Sequence, residues 1–156
     1  MGFNLVTQHA TIYDAGSEEF TGTTLAGIGQ SVVGVFRNLE KTANRFVAVR
    51  SIKTCQNELL AAFQKLTSSS PPSQQQQGEG WTIEHSTAQH LLEEGRRKHA
   101  QGNSAWRLDL LVYQLYAPGE ARCVVGGEDN ADSKLLGIEQ ESAEEVVRKA
   151  LARAQG

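Results

Sequence analysis

Three glycines near residue 30 are the first residues whose spacing could serve chemistry. Gly27, Gly29 and Gly34 lie in the stretch GIGQSVVG. A dinucleotide-binding loop needs GxGxxG between a strand and a helix, and a P-loop needs GK followed by Ser or Thr. The third glycine is displaced here and no GK follows, so close packing of a helix against its neighbours is the better interpretation. A phosphate-binding loop at the start of a helix is the alternative.

Histidines and carboxylates could bind a metal ion. His90 and Glu94 lie one helical turn apart, but there is no HExxH motif and no third ligand close by. Two ligands of mixed type make a poor zinc site. The acidic residues at 128–132 lack the ligand order of an EF-hand loop. We therefore predict no metal site.

Nucleophilic catalysis has equally little support. Cys55 and Cys123 are far apart and outside any CxxC pair, and no GxSxG motif is present. Such cysteines are more often small buried hydrophobic residues than nucleophiles. We expect both thiols to be reduced, and we predict no catalytic residue, no cofactor and, on balance, no enzymatic activity.

An apolar stripe is the strongest pattern in the N-terminal half. Its members recur at intervals of three and four residues, which is the helical period. A basic row runs beside it at a spacing of four and could meet an acidic partner or RNA phosphates. The candidate partner-binding residues are Leu25, Ile28, Val32, Phe36 and Leu39 of the stripe, with Arg37, Lys41 and Arg45 of the row.

The composition describes an ordinary globular protein. The chain has 156 residues, 39% of them hydrophobic, and a net charge of −3. That charge disfavours a protein whose main task is to bind nucleic acid. No segment has the roughly 20 consecutive apolar residues of a membrane span, and no secretory signal is visible. We expect a cytoplasmic location, without membrane association.

The stripe predicts one long helix from Thr24 to Leu66, or two helices with a break near residues 49–53. A rival interpretation makes 32–36 and 46–52 strands, because both are rich in β-branched and aromatic residues. The sequence does not decide between helix and strand for residues 32–52. Residues 67–80 read TSSSPPSQQQQGEG and predict a flexible internal loop.

Strands are predicted mainly after that loop. The stretch WRLDLLVYQLY at 106–116 is apolar on both faces and predicts a central strand. A Pro-Gly turn follows, then a second strand at 121–125 and a short third strand at 135–138. A weak strand is predicted within residues 2–13. The capping pairs Ser86 with Gln89 and Ser142 with Glu145 predict two helix starts.

These elements predict a single α+β domain spanning residues 1–156. A small antiparallel sheet, built around 106–116 and 121–125, would pack against the long N-terminal helical region and the C-terminal helix. The stripe is longer than such a sheet can cover, so part of it is expected to face another chain or a second copy.

The leading functional hypothesis is therefore a non-catalytic interaction subunit, an adaptor or assembly component of a larger complex. The alternative is a small enzyme or ligand-binding domain with a site near the Gly27–Gly34 segment and His85 or His90, which His9 could join. The third hypothesis is an RNA-binding module.

Overall fold

The computed structural model describes residues 2–68, 80–120, 123–127 and 129–154. Within them the chain alternates short strands with helices, so the predicted α+β class is confirmed. The arrangement differs from the predicted one. Most of the predicted loop, residues 69–79, lies outside the described part of the chain, and the prediction of a single domain stays a prediction.

The first sheet joins two strands near the N-terminus to a third strand about 70 residues later in the chain. Strand β1 (Phe3–Asn4) pairs antiparallel with β2 (His9–Tyr13), and β2 pairs in parallel with β5 (Thr82–Ser86). The predicted N-terminal strand is thus present. The burial of β2 alternates, with Ala10 and Ile12 buried and their neighbours half-buried. This period of two shows that one face of the sheet covers a core.

That core lies between the sheet and two helices, α3 (Gln56–Thr67) and α7 (Ala143–Ala154). Phe63 stacks obliquely on Trp81 with ring centroids 4.9 Å apart. The full buried cluster is Ala10, Ile12, Leu60, Ala62, Phe63, Trp81 and Val147. Helix α7 begins as predicted, because Ser142 accepts a hydrogen bond from the Glu145 amide and the Glu145 carboxylate accepts one from the Ser142 amide.

The predicted long N-terminal helix is interrupted. Helix α1 spans Leu25–Arg37, and the short α2 spans Leu39–Thr42. The Asn38 side chain donates to the Gly34 carbonyl and ends α1. Residues 43–51 have no regular structure, and β4 (Ile52–Thr54) pairs antiparallel with β3 (Phe20–Gly22). The helix interpretation is therefore right for residues 32–37 and 39–42, whereas the rival strand interpretation is right only at Ile52.

The predicted central strand at 106–116 is wrong. Those residues form helix α5 (Trp106–Tyr116), which pairs with α4 (Ala88–Ala100) as a helical hairpin. Gly95 of α4 permits the close approach, since a Cβ there would lie 3.2 Å from Leu110. Lys98 and Asp109 form an ion pair between the two helices at 2.7 Å, without the angles of a hydrogen bond.

The remaining predicted strands are also absent from the described residues. Residues 123–125 are irregular, residues 121–122 lie outside the description, and 131–135 form the short helix α6 (Ala131–Leu135).

The Pro-Gly turn is confirmed: the Glu120 amide donates to the Ala117 carbonyl, and Gly119 has a positive φ as a type II turn requires. Helix α4 is capped by Thr87, one residue after the predicted Ser86. None of the described helices is long and apolar enough to cross a bilayer.

Candidate functional site

Helix α1 packs on the rest of the molecule through its glycines. Its buried residues are Gly27 and Gly34. A Cβ on Gly27 would lie 3.0 Å from the Ser51 side chain, and one on Gly34 would lie only 2.5 Å from the Leu136 carbonyl oxygen. All three glycines of the GIGQSVVG stretch lie inside this helix. The segment therefore serves close packing, and the phosphate-binding loop is not formed.

The large side chains of α1 point the other way. Leu25 is 66% exposed and Phe36 is 70% exposed, with the members between them about half exposed. The N-terminal part of the predicted stripe, residues 25–39, thus faces outward, whereas Phe63 in its C-terminal part lies in the core. We call the outward-facing part the α1 apolar face, and its residues are Leu25, Ile28, Val32, Phe36 and Leu39.

The basic row does not form one helical face. Arg37 ends α1, Lys41 lies in α2, and Arg45 follows both helices. Arg45 donates to Asp132 at 2.8 Å, and Asp132 also accepts from the Ala48 amide. This hydrogen bond from Arg45 lowers the pKa of Asp132. Arg45 therefore holds the irregular segment in place. The other two members of the basic row, Arg37 and Lys41, have no ion-pair partner among the described residues.

A cavity of about 360 Å³ opens where α1 begins, next to α7. Thr24 caps α1 by accepting from the Gly27 amide at 3.2 Å, and its own amide donates to Ser51 Oγ at 2.9 Å. We call this cavity the α1 pocket. Its lining is mainly apolar with two cations, and consists of Gly22, Thr23, Thr24, Leu25, Ala26, Ile52, Val146, Lys149, Ala150 and Arg153.

A carboxylate organises the polar side of the α1 pocket. Glu141, whose side chain is only 10% exposed, accepts hydrogen bonds from Thr24 Oγ1 and from Lys149 Nζ. Burial opposes ionisation of Glu141, but these two hydrogen bonds outweigh it and lower its pKa. The carboxylate is therefore ionised at neutral pH and neutralises Lys149. Arg153 has no ion-pair partner among the residues described.

A second cavity, of about 600 Å³, lies after α5 and is lined by Tyr113, Gln114, Gly119, Glu120 and Cys123. The Tyr113 hydroxyl donates to Glu120 at 2.5 Å, and that hydrogen bond raises the pKa of Tyr113. The Cys123 thiol donates to the Gln114 carbonyl at 3.3 Å. The phenol of Tyr113 therefore stays protonated at neutral pH and acts as a hydrogen-bond donor at the edge of this cavity.

The histidines of the predicted site are not brought to the glycines. His9 of β2 lies 3.5 Å from Glu84 of β5. His85 lies opposite Ile12 in the sheet, and His90 lies in the first turn of α4; both are exposed. Among the described residues, no group of three or more histidines, cysteines or carboxylates could hold a metal ion.

Sequence reasoning missed the residues that shape the α1 pocket. Thr24 is separated from Glu141 by 117 positions and from Ser51 by 27. The local signal was a Thr before the helical stripe, which marks a helix start. No sequence motif marked Glu141, because Thr24 is 117 positions away and Lys149 is eight positions away, which is farther than one helical turn.

Comparison with curated proteins identifies relatives whose names state an activity. The chain is 51% identical over 152 residues to "Oxidoreductase poxI" of Penicillium oxalicum and to the protein of the same name from strain 114-2. The match covers 97% of this chain and 45% of the relative. "Oxidoreductase aprR" of Aspergillus flavus is 40% identical over 67 residues, which are 43% of this chain and 23% of that protein. No protein-family model matches the chain, and no solved structure does.

The chain thus spans less than half the length of the curated relatives it matches. Their names nevertheless contradict the predicted non-catalytic interaction subunit. Identity of 51% over nearly the whole chain to a protein named as an oxidoreductase points to an enzyme. The expectation of no enzymatic activity was wrong for the same reason, and the hypothesis of an enzyme or ligand-binding domain is the better supported one.

Proposed function

We propose that this chain forms part of an oxidoreductase. The observation that carries the proposal is the 51% identity to poxI, which extends over 152 residues and is not confined to one motif. Such extended identity is what a shared structure with a shared role produces. The cytoplasmic location and association with other protein chains, both expected from the sequence, stay predictions.

Within that enzyme we propose the α1 pocket as the surface that contacts the substrate. Pockets for small molecules are mostly apolar with a few fixed polar groups. The α1 pocket has this character, since Ile52 and Val146 contribute apolar surface while Lys149 and Arg153 contribute positive charge. Because Glu141 neutralises Lys149, Arg153 is the cation left to attract an anionic group. The lining favours an apolar molecule that carries one acidic group.

A chimera tests the proposed function. The matched stretch of Penicillium oxalicum poxI is replaced by this chain, and oxidoreductase turnover is compared with that of poxI itself. We expect the chimera to retain turnover. A chimera that is folded, as judged by circular dichroism and gel filtration, yet has no turnover contradicts the proposal.

Two substitutions in the same chimera test the α1 pocket. Ala150→Trp fills the pocket and is expected to raise KM about tenfold or more, because the substrate loses its place. Arg153→Gln removes the free cation and is expected to raise KM for an anionic substrate. Ala100→Trp, at an exposed position at the end of α4, is the matched control. A KM that is unchanged in both pocket variants contradicts this part of the proposal.

A further inference from the structure

We infer that the α1 apolar face is the docking surface for the part of the oxidoreductase polypeptide that corresponds to the unmatched length of poxI. This inference rests on the proposed function. The α1 apolar face shares only Leu25 with the lining of the α1 pocket, so the two proposals can fail separately.

The first argument is the orientation of α1. A helix that served only this domain would turn its large apolar residues inward and its small residues outward. Here Gly27 and Gly34 contact the domain, whereas Val32 and Phe36 face outward. The glycine contacts fix that orientation, since a Cβ at Gly34 would collide with the backbone of Leu136. Helix α1 is therefore built to have a neighbour on both sides.

The second argument is the extent of the exposed apolar surface. The five residues of the face follow one another along one side of α1 and α2, and Val33, 47% exposed, extends it. Proteins that function alone rarely leave a contiguous apolar patch of this kind in water. A continuous patch is typical of a surface that is covered in the working assembly.

The third argument concerns what covers the face. More than half of the length of poxI lies outside the matched region, which is ample chain to supply a covering surface. Arg37 and Lys41 lie at one end of the face and have no ion-pair partner among the described residues, so a partner with acidic residues beside an apolar patch fits.

A second copy of this chain fits less well. In a symmetric pair of α1 helices, each face would meet the same face of the other copy. Residues 25–39 contain no Asp or Glu. A second copy of α1 therefore offers no carboxylate to Arg37; the nearest carboxylate in the sequence is Glu40 of α2, which lies beside Lys41 at the same basic end.

Site-specific labelling of a cysteine tests the inference without using turnover. Phe36→Cys is introduced into the isolated chain and into the poxI chimera, and the rate of maleimide modification at residue 36 is followed by peptide mass spectrometry. We expect modification in the chimera to be slower by about tenfold or more, because a docked surface excludes water and reagent. Val6→Cys, at a 95% exposed position in the β1–β2 turn, is the control and is expected to react equally in both proteins.

The outcomes separate the two proposals. Protection of residue 36 without turnover supports docking and contradicts the oxidoreductase function. Turnover with equal labelling rates at residue 36 overturns docking alone. Protection in the isolated chain that grows with protein concentration shows a second copy on the face and also overturns the inference.

A second experiment serves if the chimera does not fold. The tagged chain is co-expressed with the unmatched part of poxI, and the amount recovered with the tag is measured. We expect recovery with the unchanged chain and with Val6→Asp, and a loss of about tenfold or more with the double variant Val32→Asp and Phe36→Asp. No recovery with the unchanged chain, or equal recovery with all three, overturns the inference.

Discussion

At the scale of single residues, Gly34 decides how closely α1 approaches the segment that follows α6. The atoms nearest to an added Cβ would be the carbonyl oxygen, Cβ and Cα of Leu136, at 2.5, 2.7 and 2.8 Å. Backbone atoms cannot rotate away as a side chain can. The helix must therefore shift if the glycine is replaced.

We expect Gly34→Ala to destabilise the protein by about 1–3 kcal/mol, the usual cost of overpacking. Gly29→Ala is the matched control in the same helix, where an added Cβ meets nothing within 4 Å. There the substitution should stabilise by about 0.5–1 kcal/mol, because alanine favours the helix. Urea unfolding followed by circular dichroism measures both, and equal effects would contradict the packing role of Gly34.

Glu141 makes stability depend on pH. Its pKa is lowered in the folded protein because the hydrogen bonds from Lys149 and Thr24 outweigh the effect of burial. A lowered pKa contributes stability that is present above the unfolded value, about 4.5, and is lost as the pH falls below it. We expect Glu141→Gln to cost about 1.5–3 kcal/mol at pH 7, the range for hydrogen bonds to charged groups.

The Glu141→Gln variant lacks the titrating carboxylate. The difference in free energy of unfolding between it and the unchanged protein should therefore be smaller at pH 3.5 than at pH 7. Urea unfolding at both pH values provides the measurement. Glu139→Gln, at an exposed position nearby, is the control and should change little. A Glu141→Gln deficit that is the same at pH 7 and at pH 3.5 would show that the carboxylate contributes shape and not charge.

At the scale of elements, a side chain completes the first sheet. Strand β1 is much shorter than β2, so part of the β2 edge has no strand beside it. The buried Gln56 fills that place: its Oε1 accepts from the Tyr13 amide and its Nε2 donates to the Thr11 carbonyl, both at 3.0 Å. The first residue of α3 thereby ties that helix to the sheet.

Gln56→Leu should leave both of these backbone groups without a partner. Each buried unsatisfied group costs about 1–3 kcal/mol, so we expect a loss of about 2–6 kcal/mol in the free energy of unfolding. Gln64→Leu changes the same residue type in the same helix, where the side chain makes no hydrogen bond to any residue that the structure describes. It should change the free energy of unfolding by less than about 1 kcal/mol. Comparable losses in the two variants would exclude the bridging role.

Elements with local signals could be predicted from the sequence. The start of α7 is set by Ser142 and Glu145, and the start of α1 by Thr24, all within one turn of the helix they begin. Residues 106–116 could not be predicted in this way. Their alternation of apolar residues fits a strand, but Val112 and Tyr116, the buried pair, are four apart and fit a helix equally well. Packing against α4 decides between the two.

The candidate site was less predictable than the fold. The spacing of the α1 stripe was right, but its direction depended on Gly34 meeting Leu136, far away in the sequence. A period of three and four shows that a helix has two faces, and it does not show which face the protein covers. The α1 pocket likewise depends on Glu141, which accepts hydrogen bonds from Lys149 of the neighbouring α7 and from Thr24, 117 positions away at the start of α1.

At the scale of the whole molecule, the two sides of the protein differ in whether their apolar side chains are buried. Phe63 lies in the core and is 7% exposed, whereas Phe36 is exposed on α1. We expect Phe63→Ala to cost about 3–5 kcal/mol, as in other cores. Phe36→Ala should change stability by less than about 0.5 kcal/mol while lowering the fluorescence of a bound hydrophobic dye. Thermal unfolding and dye titration test the pair, and a large loss of stability in Phe36→Ala would show that α1 packs inward.

The parallel pairing of β2 with β5 has a consequence for synthesis on the ribosome. The N-terminal strand emerges early, but its parallel neighbour is translated only when residues 82–86 are reached. Until then one edge of β2 exposes unpaired amides and carbonyls, which can pair with other nascent chains. Premature termination between α3 and β5 should therefore yield fragments that aggregate instead of fragments that fold.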